Sequence, residues 1–206
     1  MPGNAIILDS TTLSSNRRKP ESLARLKQSA RKLFVERGYD GTRPQDIARE
    51  AGLGHGTFYL HYPDKRACFL SFVEDARVEL DTHVSAHRRP GQTLEQRISA
   101  TLHAIYDYSD HHPGVLRAAM TDEAVIDAEG VEVRSLLTQW GAEWADMVRE
   151  ASRDGSACRS YDPGIIGQAI VGALHQTSRE AHRTGRSRAV LVENLTRFLT
   201  RALKPD

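Results

Sequence analysis

The chain has 206 residues, 39% hydrophobic and 27% charged, with a formal net charge of +1, the make-up of an ordinary globular protein with one core plus a small appended domain. No apolar run approaches the ~18 residues that a membrane-spanning helix needs, and Ala5–Leu8 is too short for a signal peptide, so a cytoplasmic protein is expected. Cys68 and Cys158 show no metal spacing, and Cys68 beside Phe69 reads as a buried, reduced thiol.

The small net charge hides an asymmetry. Residues 16–66 hold twelve Lys and Arg against six Asp and Glu, a net of +6; the remainder holds sixteen against twenty-one, a net of −5. A basic head on an acidic body is the electrostatic footprint of a module that meets phosphate.

In chain order, residues 1–19 read as a flexible basic arm, rich in Ser and Thr and without periodicity. Its Arg17-Arg18-Lys19 run is either a solvated tail or an arm reaching the DNA backbone or minor groove. A helix follows over about 21–37, with Leu23, Leu26, Ala30, Leu33 and Phe34 on one face and Gly38 at its end. Thr42 and Gln45 have capping-box spacing, Pro44 suits a first helical turn, and Ile47, Ala48 and Ala51 recur at helical spacing before Gly52. Leu53 follows as a plug, then a second short helix carries Thr57, Phe58 and Tyr59, closed by Pro63 and Asp64. Two short helices joined by a turn containing glycine form a helix-turn-helix, whose second helix enters the major groove of DNA.

These residues carry a family resemblance. The run Ala30-x-x-Leu33-Phe34, then Gly38-Tyr39-x-Gly41-Thr42, Ile47-Ala48-x-x-Ala51-Gly52, Gly56-Thr57-Phe58-Tyr59-x-His61-Tyr62 and Lys65 resembles the DNA-binding domain of TetR-type repressors over about residues 22–70. Two positions depart from that pattern. Pro44 stands where a small apolar residue is usual, and Gly54 replaces the usual Ser or Thr cap of the recognition helix, at a cost of a few tenths of a kcal/mol.

Side-chain type sets the expected DNA contacts. Gln45 has an amide suited to adenine N6 and N7 or to phosphate, and His55, Gly56 and Thr57 lead the recognition helix into the groove. Thr42 and Arg43 are further phosphate candidates. Lys65 heads the fourth helix, where a cation opposes the helix dipole unless a phosphate lies between. The resemblance implies that Tyr59 and His61 donate to phosphates. Phe58 and Tyr62 read as core.

The fourth helix is expected over about 64–86. Within it His83 and His87 have the i, i+4 spacing that can bind metal, but no Cys, Asp or Glu is in ligand register nearby. Surface histidines, no metal site and no cofactor are therefore expected. The rest reads as helices over about 92–110, 113–122, 126–153, 162–183 and 187–203, with Asp162 and Ser187 as caps. No segment alternates with the period of a strand.

In the middle helices Tyr106, Leu116, Met120, Trp140, Trp144, Met147 and His175 are either simple core or the lining of an apolar effector cavity with few polar anchors. In the last two, Ile166, Ile170, Leu174, Leu191, Leu195 and Phe198, with small Gly167 and Gly172 between, make an apolar face suited to a second copy of the chain. The resemblance implies a four-helix dimer interface there.

The expected fold class is all-α with about nine helices: the arm (1–19), a three-helix helix-turn-helix DNA-binding domain (20–66) and a helical effector-binding and dimerisation domain (67–206). The expected function is a homodimeric repressor of a palindromic double-stranded DNA operator, released by a small, largely apolar ligand. A ligand-responsive activator and a helix-turn-helix interaction module are the alternatives. An enzyme is not expected, because no phosphate-binding glycine loop, nucleophile elbow or zinc-hydrolase helix is present.

Overall fold

The computed structural model describes the backbone of residues 10–120 and 135–205, and side chains from Lys19 onward. The described residues form helices and no strand, as the absence of period-two patterning requires. In chain order the helices are α1 (Ser10–Arg37), α2 (Pro44–Glu50), α3 (His55–Tyr59), α4 (Lys65–His87), α5 (Leu94–His111), α6 (Val115–Ala119), α7 (Leu136–Arg153), α8 (Pro163–Thr184) and α9 (Arg188–Ala202). The chain divides into two compact units, Met1–Glu74 and Asp75–Asp206. Their boundary falls inside α4, later than the 66/67 division read from the sequence.

Two helical boundaries differ from expectation. α1 starts at Ser10 rather than near 21, so most of the stretch expected as an arm is helical. Once the apolar part of α1 is packed, each further residue adds one hydrogen bond without a new nucleation cost. Pro20 lies inside the helix, where its ring nitrogen offers no donor. The second difference is at α7, which begins at Leu136; the part of the expected 126–153 helix before residue 135, and the end of the 113–122 one, lie outside the described residues.

The first unit packs Leu26, Ala30, Leu33 and Phe34 of α1 against Ile47, Phe58 and Phe69, all nearly inaccessible to solvent. Phe34 meets Phe69 edge-on at 5.1 Å between ring centroids, and Tyr39 meets Phe69 at 5.0 Å. Such contacts add directionality to apolar burial. Cys68 is buried in this unit, and burial pushes its thiol up to about 12.

The second unit buries Leu94, Ile98 and Leu102 of α5, Trp144 and Val148 of α7, Ile170 and Val171 of α8, and Leu195 and Leu199 of α9 in one core. Cys158 is buried beside the end of α9, its N–H donating to the Leu203 carbonyl at 2.9 Å. Caps set the helix starts: Thr93 and Gln96 form a reciprocal capping box on α5, Asp162 caps α8 and Ser187 caps α9.

The glycines of α8 divide between two faces of the helix. A Cβ at Gly167 would lie 2.1 Å from the Gly141 carbonyl oxygen and 2.7 Å from the Ala145 nitrogen, so Gly167 serves the approach of α8 to α7 within the chain. Gly172 is exposed with open space before it. Ile170 and Leu195 are buried in the core, and Ile166, Leu174 and Leu191 pack against it, so five of the six residues expected at the interface face wholly or partly inward. The outward apolar side chains of these two helices are Ile165, Val190 and the expected Phe198, 71%, 50% and 58% exposed. An apolar stripe wide enough to cover most of a helix does not fix which part of it faces in.

Candidate nucleic-acid interface and effector cavity

The turn between α2 and α3 is built from local chemistry. Gly52 takes φ +64°, the left-handed cap that a glycine adopts without Cβ strain, and the Leu53 N–H returns to the Ala48 carbonyl at 2.9 Å. Arg25 of α1 crosses to this turn and donates to the carbonyl oxygens of Ala51 and Gly52. Nothing in the local pattern marks Arg25 for this role; it stood in the sequence as one of several basic residues opposite the apolar stripe.

α3 is anchored by Phe58, which is fully buried, while His55, Gly56, Tyr59 and Leu60 face solvent. The ring of His55 meets that of Tyr59 edge-on at 5.2 Å, one turn along the helix. Thr57 is half-buried, and Gly54 caps the helix without a side-chain bond, as its lack of a hydroxyl requires. On α2, Gln45 is exposed, as is Arg43, the residue before the helix. Phe58 and Tyr62 are core, as expected.

Thr42 is a correction. It is completely buried, and its hydroxyl donates to the carbonyls of Gly38 at 2.8 Å and Leu33 at 3.2 Å. It therefore ties the segment after α1 back onto the end of that helix and forms no capping box on α2, whose N-cap is Arg43 without a side-chain bond. A phosphate cannot reach that hydroxyl.

Two other expected phosphate contacts have partners within the unit. His61 Nε2 bonds to Ser22 Oγ at 2.8 Å; because that hydroxyl donates to the Lys19 carbonyl, the imidazole is the donor. Burial, and then Lys19, hold the His61 pKa below its ordinary value, so the ring is neutral at pH 7. Lys65 donates from Nζ to the Tyr39 carbonyl at 3.0 Å and sits 3.9 Å above the Tyr39 ring, which steadies a cation at an unfavourable helix start.

In the second unit a cavity of about 910 Å³ opens between α4, α5, α6, α7 and α8. All seven residues considered for an effector site, Tyr106, Leu116, Met120, Trp140, Trp144, Met147 and His175, line it. Its wall carries more charge than expected: Asp81, Arg88, Asp110, Arg117, Glu143 and Arg179 also contribute. The Tyr106 hydroxyl bonds to Ser178 Oγ at 2.7 Å, and burial raises its pKa. Burial, and then Asp81, raise that of Glu143, with Arg77 at 3.8 Å in partial opposition.

The histidines of α4 also differ from expectation. Asp107 of α5 reaches His83, Oδ2 to Nε2 at 3.0 Å, supplying the carboxylate that sequence spacing did not show.

A buried helical scaffold presenting an exposed short helix after a glycine turn defines a helix-turn-helix module. Residues 28–72 match the family model for bacterial regulatory proteins of the tetR family. The match places a TetR-type DNA-binding domain over those residues.

The chain is 26% identical over 105 residues to the HTH-type transcriptional regulator YuxN of Bacillus subtilis (strain 168), a match covering 51% of this chain and 36% of that one. It thus spans little more than a third of that relative's length. It is 24% identical over 182 residues to the HTH-type transcriptional repressor DhaR of Mycobacterium sp. (strain GP1), covering 85% of this chain and 87% of that one. Among solved structures, the fatty acid degradation regulator FadR from Bacillus halodurans superposes with a TM-score of 0.69 at 16% identity, covering 86% of this chain and 93% of that one. The relatives named are regulators rather than enzymes, and no helix among the described residues is long and apolar enough to cross a membrane.

Proposed function

We propose that the chain is a cytoplasmic transcriptional repressor that binds a palindromic DNA operator as a homodimer and is released by a small, largely apolar ligand. The observation that carries the reading is α3: one buried aromatic anchors it while His55, Gly56 and the half-exposed Tyr59 face outward, with Gln45 and Arg43 also in solvent. Arg43, Gln45, His55, Gly56, Thr57 and Tyr59 form the reading surface. Lys65 steadies it and contributes to phosphate binding through the donors that its internal bond leaves over, while His61, its one N–H given to Ser22, steadies it only.

One such head binds weakly, and two held about 34–36 Å apart read successive major grooves. The dimer contact uses the outward side chains Ile165, Val190 and Phe198, with Gly172 allowing close approach. The cavity supports the ligand: two tryptophans, Tyr106 and Met147 offer apolar surface, and the charged rim orients a polar group. A ligand that favours the conformation unable to bind DNA lowers operator affinity by its difference in affinity between the two states.

The test is a gel shift with duplexes from the DNA flanking the gene. Retardation that weakens steeply with added salt is expected, since neutralised phosphates release counterions. Tyr59→Phe should weaken all duplexes alike. Gln45→Ala should also relax preference at particular base pairs, by roughly 1–3 kcal/mol of discrimination. A monomer that retards no duplex even in dilute buffer overturns the reading.

A further inference from the structure

Three side chains outside the cavity wall and the α2–α3 face converge between α4 and α5. His83 and His87 stand one turn apart on α4, their ring centroids 4.9 Å apart. Asp107 of α5 brings Oδ2 to 3.0 Å from His83 Nε2. One ligating atom from each of the three lies within 4.8 Å of the other two, and all three residues are half-buried.

We propose that His83, His87 and Asp107 bind a divalent transition metal of the zinc class, clamping α4 to α5. The i, i+4 spacing puts both imidazoles on one helix face. His87 Nδ1 donates to the His83 carbonyl at 2.8 Å, which fixes the tautomer and leaves the Nε2 lone pair as the basic site. His83 Nε2 and Asp107 Oδ2 are hydrogen-bonded in the metal-free chain. A metal takes the place of that hydrogen bond, with the His83 proton carried on Nδ1 and the Nε2 lone pair given to the ion.

The carboxylate is oriented by its own partners. His111 Nδ1 donates to the Asp107 carbonyl at 2.8 Å and lies 3.6 Å from Oδ2, while Arg188 approaches the other oxygen, Oδ1, at 3.9 Å. Arg188 therefore neutralises the far side of the carboxylate and leaves Oδ2 to the cation. Two nitrogens and one oxygen suit Zn²⁺, Co²⁺ or Ni²⁺; Mg²⁺ and Ca²⁺ require oxygen sets. Three protein ligands leave a coordination position for water or a small anion. The site stands apart from the DNA-binding reading, since metal uptake can succeed or fail whatever the chain does on DNA.

The test uses the full chain, stripped with chelator and desalted, then titrated with CoCl₂ and afterwards ZnCl₂. The expected result is one Co²⁺ per chain with the visible absorption of a four-coordinate site, bleached when Zn²⁺ displaces it. His87→Gln and Asp107→Asn should each weaken Co²⁺ binding by roughly tenfold or more, and His103→Gln on the exposed face of α5 should leave it unchanged. Far-ultraviolet dichroism matching the wild type shows that each variant is folded. Added Zn²⁺ should raise the melting temperature of the wild type and not that of His87→Gln. Two results overturn the proposal: no stoichiometric uptake at several equivalents of Co²⁺, or uptake retained by both folded ligand variants. The first leaves His83 and Asp107 as a hydrogen-bonded pair only, and the second places the metal on other histidines.

Discussion

Arg25 Nη2 donates to the Gly52 carbonyl at 3.2 Å, so the turn of the helix-turn-helix is tied by a guanidinium from α1, a helix outside the motif. The Ala51 carbonyl accepts from the same nitrogen. Arg25→Ala should lower the stability of the protein by about 1 kcal/mol, the ordinary net worth of a hydrogen bond, because the side chain is largely in solvent. Gly52→Ala should cost about 1–2 kcal/mol from its positive φ alone. The added Cβ also lies 2.7 Å from Arg25 Nη2 and pushes it off the turn. Because both substitutions break the same contact, the double variant should lose less than the sum. Urea midpoints of the four proteins decide this, and strict additivity refutes the shared contact.

The two glycines of α8 should respond oppositely. Gly167→Ala drives a Cβ into backbone atoms of α7 and should destabilise by about 1–3 kcal/mol, as overpacking does. Gly172→Ala meets open space and should stabilise the isolated helix by up to about 1 kcal/mol through backbone entropy. If Gly172 lies in the dimer contact, the same methyl should weaken dimerisation. Thermal melts read the first two effects and sedimentation velocity the third.

Titration of His61 should leave a signature in stability. Its folded pKa lies below the unfolded value, so below the ordinary histidine range the unfolded chain binds more protons than the folded one. The contribution is fully present above the unfolded pKa, near 6.5, and declines as pH falls through that value towards the folded one. Melting temperatures at pH 7.5 and 5.5 should therefore show a smaller drop for His61→Gln than for the wild type. An unchanged drop assigns the acid sensitivity to other groups.

Cavity occupancy should be visible without labelling. The chain has two tryptophans, Trp140 and Trp144, and both line the cavity. An anilinonaphthalene sulfonate probe entering it should receive energy from both, with saturable quenching of tryptophan emission. Leu116→Trp, which fills space from the α6 side, should weaken probe binding. Emission from the native tryptophans that stays constant while probe fluorescence rises would place the probe elsewhere on the surface.

What the sequence revealed depended on how local the determinant was. The α2–α3 turn was legible because Gly52, the apolar spacing around it and Pro44 all act within a few residues. Thr42 was misread for an instructive reason: Thr-x-x-Gln matches a capping box, yet the hydroxyl can donate as well as accept, and the carbonyls at the end of α1 claim it. Asp107 could not be paired with His83 because only the packing of α5 on α4 brings them together. The seven cavity residues share aromatic or long apolar character, a bias that survives any uncertainty in helix boundaries. Which side of α8 faces inward was not legible, because apolar residues cover much of the helix and the close approach of Gly167 to Gly141 sets the side.

The two cysteines sit one in each compact unit, Cys68 in the first and Cys158 in the second, and both are buried. At neutral pH the Cys68 thiol stays protonated and shielded, so alkylating reagents should reach it only when its surroundings open. The chain therefore carries two native clocks. Mass-resolved alkylation would time the opening of head and body separately, on unmodified protein, with and without DNA.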